Sequence, residues 1–296
     1  MNFPKPGHGL RVLVLLLACL LTGGAWAQAT YPDAVAATEA FVRAVRAGDE
    51  TGLRTVLGQN WKEYIPVEGI DRDDVDAFLA GYDQRHRVAE ADGKSHLLVG
   101  KEDWVLPIPL VKGSAGWHFD LDGAREEIRL RRIGNDELAT MQAMLAYYDA
   151  QREYAAKERN GDGVLEYAQK LLSTPGKQDG LYWADASGND RSPLGRLFAE
   201  NAPGEDFHGY HYRILTAQGP SAPGGAYDYI VGKRMTNGFA LVAWPSRYGD
   251  TGVMSFMVSH DGEVFEKDLG KDGAKTAQAM KRFYPDSSWQ EAKPAE

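Results

Sequence analysis

Four side chains that carry oxygen atoms are closely spaced in one glycine-containing segment: Glu158, Asn160, Asp162 and Glu166. The spacing resembles the calcium-binding loop of an EF-hand, in which oxygen ligands alternate along the chain and a glycine makes the sharp turn. Gly163 falls at that turn, but the last ligand position holds Gln169, which cannot bind calcium through two charged oxygens. Asn, Gly and Asp also favour an ordinary polar turn. We therefore infer a polar turn first, and calcium as the one cofactor that the segment suggests.

Histidines and nucleophiles give less specific patterns. Asp206, His208 and His211 carry groups that can ligate zinc, but a spacing of three residues on a strand places two side chains on opposite faces. The sequence contains no His-Glu-x-x-His motif, no serine nucleophile elbow and no P-loop. We therefore predict no catalytic residue and expect a protein that is not an enzyme.

The first 27 residues have the pattern of a secretory signal peptide. An apolar run at residues 12–21 precedes Ala25 and Ala27, two small residues that are typical of a cleavage site. The run is about half of the roughly 20 residues that span a bilayer, so we expect no membrane span in the mature chain. The pattern predicts a periplasmic protein cleaved after Ala27. Full secretion, or a lipoprotein anchored at Cys19, is the alternative.

The composition excludes several classes of partner. The formal net charge is −9, with 42 acidic residues against 33 basic ones. Because nucleic acids and anionic membranes attract a basic surface, we expect neither as a partner. Cys19 is the single cysteine and lies in the predicted signal peptide. The mature chain is therefore stabilised by its hydrophobic core and not by disulfides.

Residues 28–134 are predicted to form an N-terminal α+β domain. Apolar residues recur at helical spacing between positions 36 and 45, and Gly48 ends that helix. Two further helices are followed by strand-like segments at 96–99, 104–111 and 117–119. Helices followed by a small antiparallel sheet give an α+β layer arrangement. The opening helix and the closing strand resemble a small SnoaL-like cone fold.

Residues 135–288 are predicted to form a second α+β domain, with a polar tail at 289–296. Asn135 is a good N-cap for a long helix. Apolar residues on one face of this helix are expected to face the core: Leu138, Met141, Leu145 and Tyr148, with Met144 and Tyr147 widening that face. Strand-like segments follow between residues 210 and 267. A long helix followed by an antiparallel sheet resembles the globular part of type IV pilins.

Several sequence blocks together resemble the bacterial family called domain of unknown function 2950 (DUF2950). The blocks lie at residues 150–156, 160–183, 209–220, 224–229, 238–243, 259–262 and 267–270. The resemblance covers essentially the whole mature chain. It implies an exported bacterial protein and carries no assigned activity.

These observations predict an exported, soluble envelope protein of the α+β class. We expect a non-enzymatic binding or assembly module whose partner is another envelope protein. The alternative is small-ligand binding, or a hydrolase-type activity, in a cavity of the N-terminal domain. Four aromatic residues would line that cavity: Trp61, Phe78, Trp104 and Trp117.

Overall fold

The computed structural model describes residues 28–65, 72–184, 191–195 and 206–293. The predicted signal peptide, including Cys19 and Ala27, lies outside the described residues. The chain divides into two compact units, one up to Ala124 and one from Arg125 onward. We call them the N-terminal unit and the C-terminal unit. Both combine helices with antiparallel sheets, which confirms the α+β class. The SnoaL-like and pilin-like resemblances stay predictions.

In its described residues, the N-terminal unit places four helices before a small sheet. Its elements are α1 (Ala34–Ala47), α2 (Glu50–Leu57), α3 (Trp61–Tyr64), α4 (Arg72–Gln84), β1 (His86–Ala91), β2 (Lys94–Val99), β3 (Trp104–Val105), β4 (Leu110–Gly113) and β5 (Gly116–Phe119). The sheet order is β1-β2-β4-β5, and β3 also pairs with β2. Helix α1 begins after Asp33, whose carboxylate accepts the Ala36 N–H at 2.7 Å, and ends at Gly48 with φ of +61°. Its Phe41 ring lies 5.3 Å from that of Phe119, so the helix packs on the sheet.

The long helix α5 (Leu121–Ala155) begins earlier than predicted. The Asp120 carboxylate accepts the Gly123 N–H at 2.9 Å at its start, while Asn135 lies in the helix interior. Residues 121–134 are rich in Arg, Glu and Leu, which are strong helix formers. Ion pairs one turn apart, such as Arg131 with Glu127 at 2.7 Å, add to this preference. The predicted N-cap at Asn135 is therefore wrong.

As far as its residues are described, the C-terminal unit consists of α5 from Arg125 onward, short strands and one further helix. Its other elements are β6 (Tyr210–Leu215), β7 (Ala217–Gln218), β8 (Tyr227–Asp228), β9 (Ile230–Val231), β10 (Arg234–Met235), β11 (Ala240–Pro245), β12 (Met254–Ser259), β13 (Val264–Asp268), α6 (Gly273–Ala279), β14 (Arg282–Phe283) and β15 (Gln290–Glu291). The main sheet has the antiparallel order β15-β13-β12-β11-β6. Strand β15 lies within the predicted polar tail. The central strand β11 is buried along its whole length.

Only part of the predicted face of α5 packs in the core of this unit. Met144 and Tyr147 are fully buried, and Met141 and Tyr148 pack against the core, whereas Leu138 and Leu145 are 43% and 42% exposed. The Tyr147 hydroxyl donates a hydrogen bond to the Ala240 carbonyl of β11 at 3.2 Å. The predicted face is therefore wrong at the two leucines. Among the described residues, no helix has both the length and the apolar character needed to cross a membrane.

Candidate functional site

A polar cleft in the N-terminal unit is the candidate functional site. It has a volume of about 370 Å³ and lies between the α2–α3 turn and the junction of β5 with α5. Most of the side chains that line it are polar, and they include Gln28, Asn60, Tyr64, His118, Asp120 and Asp122. These residues are far apart in sequence, so the fold brings them together.

Gln28 connects two walls of the cleft. Its side-chain amide donates hydrogen bonds to the carbonyl of Val56 at 3.0 Å and to that of Phe119 at 2.7 Å. Because both amide protons are used, this side chain can offer a ligand only its carbonyl oxygen. Gly58 ends α2 with φ of +104°, a conformation that L side chains rarely adopt. The α2–α3 turn is therefore held in place by the chain ahead of α1.

Two carboxylates at the start of α5 form another wall. The Asp120 carboxylate accepts from the Gly123 N–H and, at 3.1 Å, from the Lys94 ammonium. A Cβ atom at position 123 would lie 2.1 Å from Asp120 Oδ2, so a larger residue there would displace this carboxylate. The Tyr64 hydroxyl donates to Asp122 Oδ1 at 2.5 Å. Each carboxylate of the cleft is therefore bonded to at least one donor within the unit.

His118 of β5 also lines the cleft. Its Nδ1 atom is buried and has no hydrogen-bond partner among the described residues. A Cβ at Gly113 on the neighbouring strand would lie 3.2 Å from the ring Cε1 atom and 3.6 Å from Nδ1. The imidazole is thus packed closely against β4, which fixes its position beside the cleft.

The four aromatic residues predicted to line a cavity do not line this cleft. Trp61 is buried in the core, and Trp104 is 48% exposed on β3. The Trp104 and Phe78 rings meet edge to face with 6.2 Å between centroids. The backbone of Trp117 pairs with that of Tyr31, with hydrogen bonds in both directions at 2.8 Å. The sequence did not predict this cleft, because the residues that line it are mostly polar and lie far apart along the chain.

The predicted calcium-binding side chains lie in a loop after α5 and bond to groups of the chain itself. Glu158 Oε1 accepts from the backbone N–H of Asn160 at 2.6 Å and of Asp162 at 3.2 Å. Asp162 forms an ion pair with Arg234, and the Asn160 amide donates to Glu166. Within the described part of the chain, no group of three or more His, Cys, Asp or Glu side chains is placed to hold a metal. Calcium binding at this loop stays a prediction.

The two histidines considered for zinc have separate aromatic neighbours. His208 adopts a positive φ of 50° in a turn, with its ring 4.2 Å from that of Phe207, and burial lowers its pKa. His211 lies on β6, 5.8 Å from the Trp244 ring. Each imidazole therefore contacts an aromatic ring, and His208 remains exposed to solvent.

A Tyr–His pair in the C-terminal unit was not foreseen. The Tyr227 hydroxyl lies 3.2 Å from His260 Nε2, and burial, with the charge of Asp261, raises the pKa of Tyr227. Gly238 has φ of +143°, and a Cβ there would lie 2.8 Å from His260 Nδ1. The two residues are more than thirty positions apart, so the sequence gave no sign that they would meet.

The fold and the cleft together define an α+β protein with a polar cavity in its N-terminal unit. A family model described as "Protein of unknown function (DUF2950)" matches residues 28–292. The chain therefore belongs to the DUF2950 family, which confirms the resemblance carried by its sequence blocks. Neither the curated proteins nor the solved structures gave a significant match.

Proposed function

We propose that this chain is an exported, non-enzymatic binding protein whose ligand site is the polar cleft of the N-terminal unit. The observation that carries the proposal is the cleft itself, with its volume of about 370 Å³ and its converging polar side chains. Ligand sites commonly have volumes of roughly 300–1,000 Å³ and a few precisely placed polar groups. The cleft therefore has room for one small molecule.

The hydrogen bonds of the cleft support binding without catalysis. Both Asp120 oxygens are bonded to structural donors, and the Asp122 carboxylate accepts from Tyr64. A general base must lie within hydrogen-bond reach of the proton that it abstracts. Carboxylates already bonded in this way are better suited to fixing the walls of a binding site than to moving protons.

Mapping of ligand contacts by NMR tests the proposed site. We expect members of a fragment library to shift the backbone amides of Gly58, His118 and Asp122 selectively. The variant Asn60→Trp places a large ring at the cleft and should remove these shifts, because Asn60 is an exposed lining residue. Glu90→Trp, on the exposed strand β1, is the control and should keep them. A library that shifts no cleft amide would refute the proposal.

Export is tested separately on the purified protein. The predicted cleavage gives a mature chain that begins at Gln28, a residue that the cleft itself uses. We expect mass spectrometry of the periplasmic fraction to find that N-terminus. A lipid-modified Cys19 would support the lipoprotein alternative. A cytoplasmic chain that still carries residues 1–27 would contradict export.

A further inference from the structure

We infer that the cleft binds a neutral polyhydroxyl compound, a saccharide unit, and this inference rests on the proposed binding function. Three properties of the described cleft favour such a ligand: the balance of its charges, the mixture of its hydrogen-bonding groups, and an aromatic ring beside its polar walls.

The unit supplies a partner for each carboxylate of the cleft. The Lys94 ammonium neutralises Asp120 across 3.1 Å, and the Tyr64 hydroxyl donates a short hydrogen bond to Asp122. Among the described residues, the lining contains two carboxylates and neither lysine nor arginine. A carboxylate or phosphate ligand would meet those acidic groups without a cation in the lining to bind it. A cationic ligand would have to compete with the Lys94 ammonium for Asp120.

The hydrogen-bonding groups suit hydroxyls, each of which both donates and accepts. Gln28 presents a carbonyl oxygen, and Asp120 presents carboxylate oxygens, so these two residues accept. Asn60 has both an amide donor and a carbonyl acceptor, and its side chain makes no capping bond to α3. A ligand of several hydroxyl groups can satisfy this mixture, whereas an apolar ligand would leave buried polar groups unpaired.

Tyr64 gives the cleft an apolar surface next to its polar groups. The side chain is half-buried, and its hydroxyl is bonded to Asp122, which fixes the orientation of the ring. A pyranose has an apolar C–H face and a polar rim of hydroxyls, so it matches a tyrosine that has an apolar body and a polar tip. Leu57 and Leu121 add further apolar lining.

A matched set of sugars tests this ligand class. Titrations of the mature protein use glucose, galactose, mannose and N-acetylglucosamine as neutral probes, glucuronate as the anionic analogue and glucosamine as the cationic analogue. We expect at least one neutral sugar to shift the amides of Gly58 and Asp122, with an affinity about tenfold or more above that of both charged analogues. Loss of one neutral hydrogen bond gives roughly a two- to tenfold change, so Asn60→Ala should weaken binding by about that factor.

The control variant is Asn135→Ala, since Asn135 is exposed on α5 outside the cleft, and it should leave the affinity unchanged. Tighter binding of glucuronate or glucosamine, or no cleft shift with any neutral sugar, would overturn the saccharide inference. If the fragment library still shifts the cleft amides in that case, the proposed binding site stands and only the ligand class is wrong. If neither set shifts them, both proposals fail.

Discussion

Asp136 of α5 is expected to make the stability of the C-terminal unit fall as the pH rises. The side chain is half-buried, and this burial is the main reason why its pKa rises from 3.8 to about 6. The negative charge of Asp206 adds to the rise, Arg132 and Arg247 oppose it, and Asp250 supports it. Asp136 Oδ2 also lies close to the turn at Gly209, where a Cβ would be 2.9 Å away. The folded protein therefore holds the proton of Asp136 more tightly than the unfolded chain does.

The sign of the effect follows from proton linkage. Between about pH 4 and pH 6 the folded state binds more protons at Asp136 than the unfolded state, so the free energy of unfolding decreases as pH increases. A difference of about two pKa units corresponds to about 3 kcal/mol. Because the group is only half-buried, screening by solvent reduces this to about 1–2 kcal/mol. The loss of stability caused by the ionised Asp136 is complete above about pH 6 and absent below about pH 4.

The substitution Asp136→Asn removes the charge while keeping the shape of the side chain. We expect urea unfolding to show a gain of about 1–2 kcal/mol near pH 7 that disappears near pH 4. Asp149→Asn, exposed on the same helix, is the control and should not show this pH-dependent gain. An equal effect of Asp136→Asn at both pH values, or a loss of stability near pH 7, would refute the linkage argument.

Three further predictions concern single sites of the C-terminal unit. Replacing the fully buried Gln151 by Met leaves the N–H and C=O of Ala168 unpaired, so urea unfolding should show a loss of roughly 2–4 kcal/mol. Gly238→Ala should destabilise the protein by about 1–3 kcal/mol, because this position has a positive φ and lies against the His260 imidazole. Gly134→Ala should instead stabilise it by up to about 1 kcal/mol, because a Cβ at this helical position would meet no other atom. Millimolar calcium should raise the melting temperature, and Asp162→Ala should remove that rise; an unchanged wild-type melting temperature would contradict the calcium prediction.

Elements with strong local signals were predictable from the sequence. Helix α1 has a periodic apolar face and a glycine at its end, and the structure places it at Ala34–Ala47 with Gly48 as its C-cap. The central strand β11 is a continuous apolar run, and it occupies Ala240–Pro245. The helix start was wrongly predicted at Asn135. A good N-cap residue is also tolerated inside a helix when the residues before it favour helix, as residues 121–134 do.

The cleft could not be predicted because no local pattern marks it. Its walls are joined by the hydrogen bond from Gln28 to Phe119, residues that are 91 positions apart. Sequence spacing reports contacts within a helix, strand or turn, whereas this contact depends on how the whole unit folds. The same reason explains why the place of His118 beside the cleft was not predicted.

The core side of α5 shows why apolarity alone did not identify every buried residue. The predicted face included Leu138 and Leu145, which are half-exposed, and left out Thr140 and Gln151, which are fully buried. The buried residues have fixed partners: Gln151 bonds in both directions with the backbone of Ala168, and Tyr147 bonds to β11. Two polar side chains can occupy a core when every donor and acceptor is paired. The residues of this helix that enter the core are therefore specified by buried hydrogen bonds as well as by hydrophobic area.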